Sequence, residues 1–117
     1  ITVTEASDPT AMGVGGILVT KEGLSKGNKQ GVATATILDD QGNPVAGATV
    51  TGDFSGKTTD IGVSGVTDAN GQVVLTSSSA MGGGEWCFEV TNVTHATLAY
   101  DPGLNFVTQS CESGDVF

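Results

Sequence analysis

Apolar and polar residues alternate along much of this chain in short runs, the pattern of half-buried β-strands. The clearest run covers residues 32–39 and puts Ala33, Ala35 and Ile37 on one face, with threonines on the other. No stretch repeats with a helical period. Further strands are predicted over residues 14–20, 48–54, 63–66, 72–78, 85–91, 95–100 and 104–108.

Turn residues divide these strands. Asp39 to Pro44 and Asp68 to Gly71 are dense turn signals, and residues 21–30 and 55–62 are predicted as loops. The pair Gly15-Gly16 interrupts the strand over 14–20 and predicts either a bulge or a switch of the chain between sheets. Seven to nine short strands with frequent turns predict an all-β fold, a two-sheet antiparallel β-sandwich.

We expect one domain over residues 1–117, because a chain of this length builds one core. Residues 12–108 form the predicted sandwich and residues 109–117 a C-terminal tail. Residues 1–11 form an N-terminal strand or arm, in which Ile1, Thr2, Val3 and Thr4 alternate before Asp8-Pro9 ends the run. An alternating segment of this kind can complete a neighbour's sheet, so residues 1–4 are candidate assembly residues.

The charge balance restricts the partners. Thirteen Asp and Glu face four Lys, and the net charge is −9. Nucleic acid is excluded as a partner because a phosphate backbone requires a basic surface. Anionic membrane surfaces are disfavoured for the same reason, and the apolar runs are too short to cross a bilayer, so no membrane insertion is expected.

The two cysteines of the chain indicate the cellular compartment in which it folds. In residues 85–90, Trp86, Phe88 and Val90 share the inward parity, which directs Cys87 outward. An outward cysteine is well placed to hold a segment that crosses the sheet surface, and Cys111 lies near the end of the chain. We expect a Cys87–Cys111 disulfide and therefore an oxidising, extracellular compartment. Two free thiols or a bond between chains are the alternatives.

Four motifs follow one another between residues 12 and 108. They are Met12-Gly13-Val14-Gly15-Gly16-Ile17, Asp39-Asp40-Gln41-Gly42-Asn43-Pro44-Val45-Ala46-Gly47-Ala48-Thr49-Val50, Thr67-Asp68-Ala69-Asn70-Gly71-Gln72 with Thr76-Ser77-Ser78, and Phe88-Glu89-Val90-Thr91-Asn92-Val93-Thr94-His95-Ala96-Thr97-Leu98-Ala99-Tyr100. In this order they resemble an immunoglobulin-like accessory module of secreted bacterial and surface proteins, often C-terminal in hydrolases.

The resemblance implies an immunoglobulin-like sandwich with a structural or attachment role, whose partners are other domains of the same or neighbouring chains. The match has departures. Relatives commonly carry His and Asp where this chain has Gly13 and Gly16. They also carry a longer acidic segment after the last strand, where this chain has residues 111–115.

The candidate chemistry is sparse. The single histidine, His95, has no nearby serine in a strained turn and no acidic residue at the spacing of a catalytic partner, so we predict that the chain is not an enzyme. A zinc site is not expected either, because one histidine and two cysteines do not make a closed set of four ligands. No cofactor is expected, with calcium as the exception. If consecutive strands run antiparallel, the loops with Asp39, Asp40, Asp68 and Asn70 emerge at one end, where their oxygens can ligate calcium. The same residues also serve simply to close turns.

Three functions therefore stand as hypotheses. The first is a non-enzymatic extracellular spacer, stabiliser or attachment domain of a larger secreted or cell-surface protein. The second is a self-assembling subunit of an extracellular fibre, a homopolymer joined by strand complementation. The third is a calcium-dependent or carbohydrate-binding module, for which Tyr100, Phe106 and Phe117 are the aromatic candidates.

Overall fold

Two four-stranded sheets pack face to face in the computed structural model, which describes residues 9–81 and 84–112. The first sheet has the order β5-β2-β1-β7 and the second the order β4-β3-β6-β8. The fold is therefore an all-β sandwich, as predicted. The strands are β1 (Ala11–Gly23), β2 (Asn28–Asp39), β3 (Thr49–Gly56), β4 (Asp60–Val66), β5 (Gln72–Met81), β6 (Trp86–Thr94), β7 (Ala99–Tyr100) and β8 (Gln109–Cys111).

The core lies between the sheets and follows the predicted parity. Ala33, Ala35 and Ile37 of β2 are fully buried, and Trp86 and Phe88 of β6 face them from the other sheet. The rings of Phe54 and Phe88 lie 4.9 Å apart in a tilted pair. Inward side chains of both sheets thus share one apolar layer, which is the usual core of a sandwich.

Among the described strands, pairing is antiparallel with one exception. Ala11 and Met12 of β1 pair in parallel with Ala99 and Tyr100 of β7. The expectation of purely antiparallel sheets is therefore wrong at this edge. Here the chain returns from β6, in the other sheet, and runs alongside β1 in the same direction.

The glycine pair in β1 forms a bulge. The register between β1 and β2 shifts between Val14 and Gly16, while both parts of β1 stay paired with β2. Of the two alternatives predicted for Gly15-Gly16, the structure shows the bulge and not a change of sheet. A Cβ at Gly15 would lie 2.6 Å from Leu38 Cδ1, so the close approach of β2 requires glycine here.

Several predicted boundaries are wrong. Residues 21–30 are mostly strand, since β1 continues to Gly23 and β2 begins at Asn28, which leaves a short connection with a 3₁₀ turn. The loop over 55–62 is shorter than predicted because β4 begins at Asp60. Both corrections have one cause: exposed strands with polar side chains are stabilised by their ladder hydrogen bonds and show no apolar alternation.

The C-terminal part departs most from prediction. Of residues 95–100 only Ala99–Tyr100 is strand, and residues 104–108 form no strand. Asp101 accepts a hydrogen bond from Gly103 N and caps a 3₁₀ turn over Pro102–Leu104. Gln109–Cys111, predicted as tail, is instead the edge strand β8, paired with β6.

Asn105 fixes this C-terminal segment to the bulge. Its Oδ1 accepts a hydrogen bond of 2.7 Å from Val14 N, and its Nδ2 donates to Tyr100 Oη at 2.7 Å. Phe106 N then donates to Val14 O at 2.9 Å. The N–H and the C=O of Val14, next to the bulge, are thereby both hydrogen-bonded, the first to a side chain and the second to a main-chain N–H.

Replacing Asn105 by Ala is expected to lower the free energy of unfolding by about 1–3 kcal/mol, because Val14 N loses its acceptor in a half-buried place. Asn92→Ala, at an exposed position of β6, is the matched control and should change stability by less than about 0.5 kcal/mol. Urea denaturation of the three proteins gives the comparison. Equal midpoints for the two variants would contradict the role of Asn105.

Candidate functional site

The disulfide joins two neighbouring strands of the second sheet. Cys87 on β6 and Cys111 on β8 are register partners with their Cα atoms 3.9 Å apart, and their sulfurs are bonded. Both residues are half-buried, whereas Trp86 and Phe88 on either side of Cys87 are buried. Cys87 thus has the predicted outward parity. Cys111, however, reaches it from an adjacent strand and not from a tail crossing the sheet.

Glu112 continues this link beyond β8. Its Oε2 accepts a hydrogen bond of 2.9 Å from Trp86 N, and its own N–H donates to Trp86 O at 3.0 Å. Its Oε1 lies 3.5 Å from Lys21 Nζ on β1, in the opposite sheet. The end of β8 is therefore held to β6 by a disulfide and two hydrogen bonds, and to β1 by an ion pair.

A groove runs between β1 and β8. It has a volume of about 410 Å³ and is lined by residues 17–19 and 109–112. Within the described residues, β1 pairs with β7 only at Ala11 and Met12, and β8 pairs only with β6. Both walls of the groove are thus edge strands, whose outer N–H and C=O groups can pair with a further strand.

One chain of hydrogen bonds connects the two sheets at the opposite side of the sandwich. Trp86 Nε1 donates to Thr58 Oγ1 at 2.7 Å, and Thr58 Oγ1 donates to Asp60 Oδ2 at 2.9 Å. The Asp60 carboxylate on β4 also accepts from Ser78 N, at 3.0 Å, and from Ser78 Oγ on β5. The two sheets are therefore joined by polar bonds from the core tryptophan out to the surface.

The hydrogen bonds of Asp60 make part of the free energy of unfolding depend on pH. Partial burial raises the pKa of Asp60, but hydrogen bonds from Ser78 and Thr58 outweigh it and leave the pKa below its usual value of 3.8. A carboxyl group whose pKa is lower in the folded than in the unfolded state stabilises the fold above the unfolded pKa. That contribution is lost as the pH falls through the folded pKa.

Asp60→Asn is therefore expected to lower the free energy of unfolding by about 1 kcal/mol at pH 6. The difference from wild type should shrink as the pH falls below 3.8. Denaturant titrations at several pH values measure it, and Glu89→Gln, at an exposed position of β6, is the control. A difference in the free energy of unfolding that stays constant from pH 6 to below the pKa of Asp60 would contradict the lowered pKa.

The predicted calcium residues lie on turns that meet at one end of the sandwich. Gly71 of the 68–71 turn packs against Pro44 and Val45, so these loops emerge together as expected. The carboxylates close turns, however. Asp39 Oδ1 accepts from the backbone N–H of Gln41 and Asn43, and Asp68 Oδ1 accepts from those of Asn70 and Gln72.

Asp40 reaches a third segment, because its Oδ2 accepts from Thr10 Oγ1 at 3.3 Å. Among the described residues, the acidic groups of Asp39, Asp40 and Asp68 do not form a group close enough to share one ion. The one set that does is Glu85 with Cys87 and Cys111, and both of its sulfurs are in the disulfide. Calcium binding by Asp39, Asp40, Asp68 and Asn70 stays a prediction.

His95 closes a loop at the same end. Its Nδ1 accepts from the backbone N–H of Thr97 at 3.1 Å and of Leu98 at 3.3 Å, while Nε2 lies 3.0 Å from Ala46 O. These partners fit the neutral ring with its proton on Nε2. Both nitrogens are therefore engaged with the backbone of their own loop and its neighbour.

The remaining candidates are the three aromatic residues and the N-terminal segment. Phe106 is 82% exposed, and Tyr100 is half-buried with its hydroxyl accepting from Asn105. Phe117 and the assembly residues Ile1, Thr2, Val3 and Thr4 lie outside the described residues. The structure thus brings Cys87 and Cys111 together, gathers the Asp-rich turns at one end, and forms no aromatic platform from Tyr100 and Phe106.

Sequence patterns did not reveal the hydrogen-bonding roles of Asn105, Asp60 and Glu112. Each acts through a partner that is distant in sequence, and a lone polar residue in an irregular segment carries no periodic signal. At Gly13, where relatives were expected to carry a His, a Cβ would lie 2.7 Å from Leu104 Cβ. The segment around Leu104 thus leaves no room for a side chain there.

A comparison with models of protein families, with curated proteins and with solved structures finds no match to this chain. The resemblance to an immunoglobulin-like accessory module therefore remains a prediction. No helix of the described residues is long and apolar enough to cross a membrane.

Proposed function

We propose that this chain is an immunoglobulin-like, non-enzymatic structural module of a secreted or cell-surface protein, acting as a spacer, stabiliser or attachment domain. The observation that carries the proposal is the disulfide between β6 and β8. It fastens a three-residue edge strand whose own ladder is short. Such a bond persists in oxidising compartments, where small domains commonly use disulfides to supplement a limited core.

Three further features support a structural role. In the described residues, every buried side-chain nitrogen or oxygen has a hydrogen-bond partner, so the interior holds no unpaired polar group. The histidine and the turn aspartates are engaged in closing loops. The net charge of −9 favours a soluble, hydrated surface.

The test is the form in which the chain occurs in its own organism. An antibody raised against residues 9–112 should detect, in the extracellular or cell-surface fraction, a polypeptide longer than 117 residues, of which this module is one part. Detection of the polypeptide in the cytoplasm, with none in the extracellular or cell-surface fraction, would overturn the proposal. A secreted polypeptide that consists of this module alone would remove the spacer role and leave an independent subunit.

A further inference from the structure

A small pocket lies on the outer face of the first sheet, at the end where the Asp-rich turns meet. Its volume is about 150 Å³, and Leu38, Leu104 and Phe106 form its apolar walls. Asp39 and Asp40 line it as well. Phe106 is 82% exposed, so an aromatic ring stands open to solvent beside this pocket. An apolar pocket with a few polar groups is the usual form of a binding site.

Both carboxylates of the pocket can accept further hydrogen bonds. Asp39 Oδ1 accepts from the backbone N–H of Gln41 and Asn43, and Asp40 Oδ2 accepts from Thr10. A carboxylate has acceptor sites for about four hydrogen bonds, so each of these two retains capacity for a cation. Apolar walls beside two carboxylates suit a side chain with an aliphatic stem and a positive end, which is the chemistry of lysine.

The volume of the pocket fits the same side chain. One water molecule takes about 30 Å³ in the liquid, so a pocket of this size holds roughly five heavy atoms. A lysine side chain has four carbons and one nitrogen. The pocket therefore has room for one lysine side chain and not for a larger segment.

The opposite end of the same sheet presents such a lysine. The antiparallel register of β1 and β2 places the connection between them, residues 24–27, about 35 Å from the pocket. Lys26 in this hairpin tip is exposed, and no acidic residue of the described ranges forms an ion pair with it. Leu24 in the same tip is 40% exposed. The tip thus combines an apolar and a cationic side chain, as the pocket combines apolar walls and carboxylates.

The backbone of Lys26 sets this residue apart. Its φ is 60°, and among the described residues it is the one non-glycine residue with a positive φ. Glycine adopts this left-handed conformation without a steric penalty, so the backbone alone favours glycine here. A side chain held at such a position points to a function for that side chain.

We propose that the hairpin tip of one copy of this chain docks in the pocket of a second copy. Lys26 enters the pocket and pairs with Asp39 and Asp40, and Leu24 packs on the exposed ring of Phe106. The proposal rests on the structural role proposed above and names the partner. Because tip and pocket lie at opposite ends of the sheet, every copy can use both, and such head-to-tail contacts extend into an open filament.

The charges of the two ends support this orientation. Residues 21–30 contain three lysines and one glutamate, a net charge of +2, although the whole chain carries −9. The pocket end carries Asp39, Asp40, Asp68 and also Asp101, whose N–H bonds to Met12 O at the start of β1. Two copies therefore repel one another in most orientations, but head-to-tail contact brings the positive segment of one to the acidic end of the other.

Sedimentation velocity of the full chain over a range of concentrations, with a chelator present, tests the proposal. The average mass of wild type should rise with concentration beyond that of a dimer. Lys26→Glu and Phe106→Ala should each weaken this association at least about tenfold. Glu89→Lys and Leu18→Ser, at exposed positions within β6 and β1, are the matched controls and should associate like wild type.

An equimolar mixture of Lys26→Glu and Asp40→Lys separates docking from misfolding. Each variant alone sets like charges against each other at the contact and should stay monomeric. In the mixture, the tip of each variant meets a pocket of opposite charge on the other, so association should return. A misfolded variant could not restore association in this way.

A wild-type chain that stays monomeric at every concentration overturns the proposal. So does a Lys26→Glu variant that associates like wild type, a mixture that stays monomeric, or an association that the chelator abolishes, since a metal ion would then make the link. Each of these results removes head-to-tail docking alone. The structural module is tested separately, by the compartment and length of the native polypeptide.

Discussion

Replacing both Cys87 and Cys111 by Ser is expected to lower the free energy of unfolding by about 3–4 kcal/mol. The bond closes a loop with a sequence separation of 24, and a cross-link of this span restricts the unfolded chain by about that amount. For a domain of this size the melting temperature should fall by roughly 10–20 °C. Thermal unfolding followed by circular dichroism measures the shift.

Reductant provides the internal control for this prediction. Wild type treated with reductant should melt close to the double variant, and the double variant should not respond to reductant. A double variant that melts within about 2 °C of oxidised wild type would mean that β8 is held without the bond. The hydrogen bonds from Glu112 to Trp86 would then be sufficient to fix this edge.

Trp86→Ala is expected to cost about 3–5 kcal/mol, the range for truncating a buried aromatic residue. Trp86 is fully buried and is the largest side chain of the core. It lies against Gly31 of the opposite sheet so closely that a Cβ on that glycine would be 2.6 Å from the indole Cγ. Its loss leaves a cavity between the sheets and removes the donor to Thr58.

Phe106→Ala is the matched control for this truncation, since Phe106 is 82% exposed. It should change the free energy of unfolding by less than about 0.5 kcal/mol. Urea midpoints of both variants and of wild type make the comparison. If Trp86→Ala cost no more than Phe106→Ala, the indole could not be a principal contact between the two sheets.

The sandwich could be predicted because its inner strands face two environments. Ala33, Ala35 and Ile37 alternate with threonines, and Trp86 and Phe88 alternate with residues that face outward. Burial of one face imposes a period of two on the sequence, and that period is readable without a structure. The disulfide could be predicted from the same alternation, because the alternation directs Cys87 away from the core, where it can reach a second cysteine.

The edges could not be predicted in this way. Residues 21–23 continue β1 although their side chains are exposed, and Gln109–Cys111 forms β8 with a single ladder to β6. Strands of this kind are stabilised by backbone bonds to a neighbour, which leave no trace in the order of apolar and polar residues. The groove lies between these two strands, so it could not be predicted from the sequence either.

The irregular segment after β7 shows a related limit. The apolar residues Leu104, Phe106 and Val107 predicted a strand. Instead, the segment forms a capped 3₁₀ turn and then hydrogen-bonds to β1 next to its bulge. Asn105 satisfies a backbone group that lies 91 residues earlier. Only the folded chain shows that partner.

The redox state of Cys87 and Cys111 in the native protein tests the central claim most directly. Protein recovered from its own organism is alkylated without reduction, digested and analysed by mass spectrometry. We expect a cross-linked peptide pair that contains both cysteines, with little alkylated thiol at either. Two fully alkylated cysteines in protein from the intact cell would contradict an extracellular module fastened by this bond.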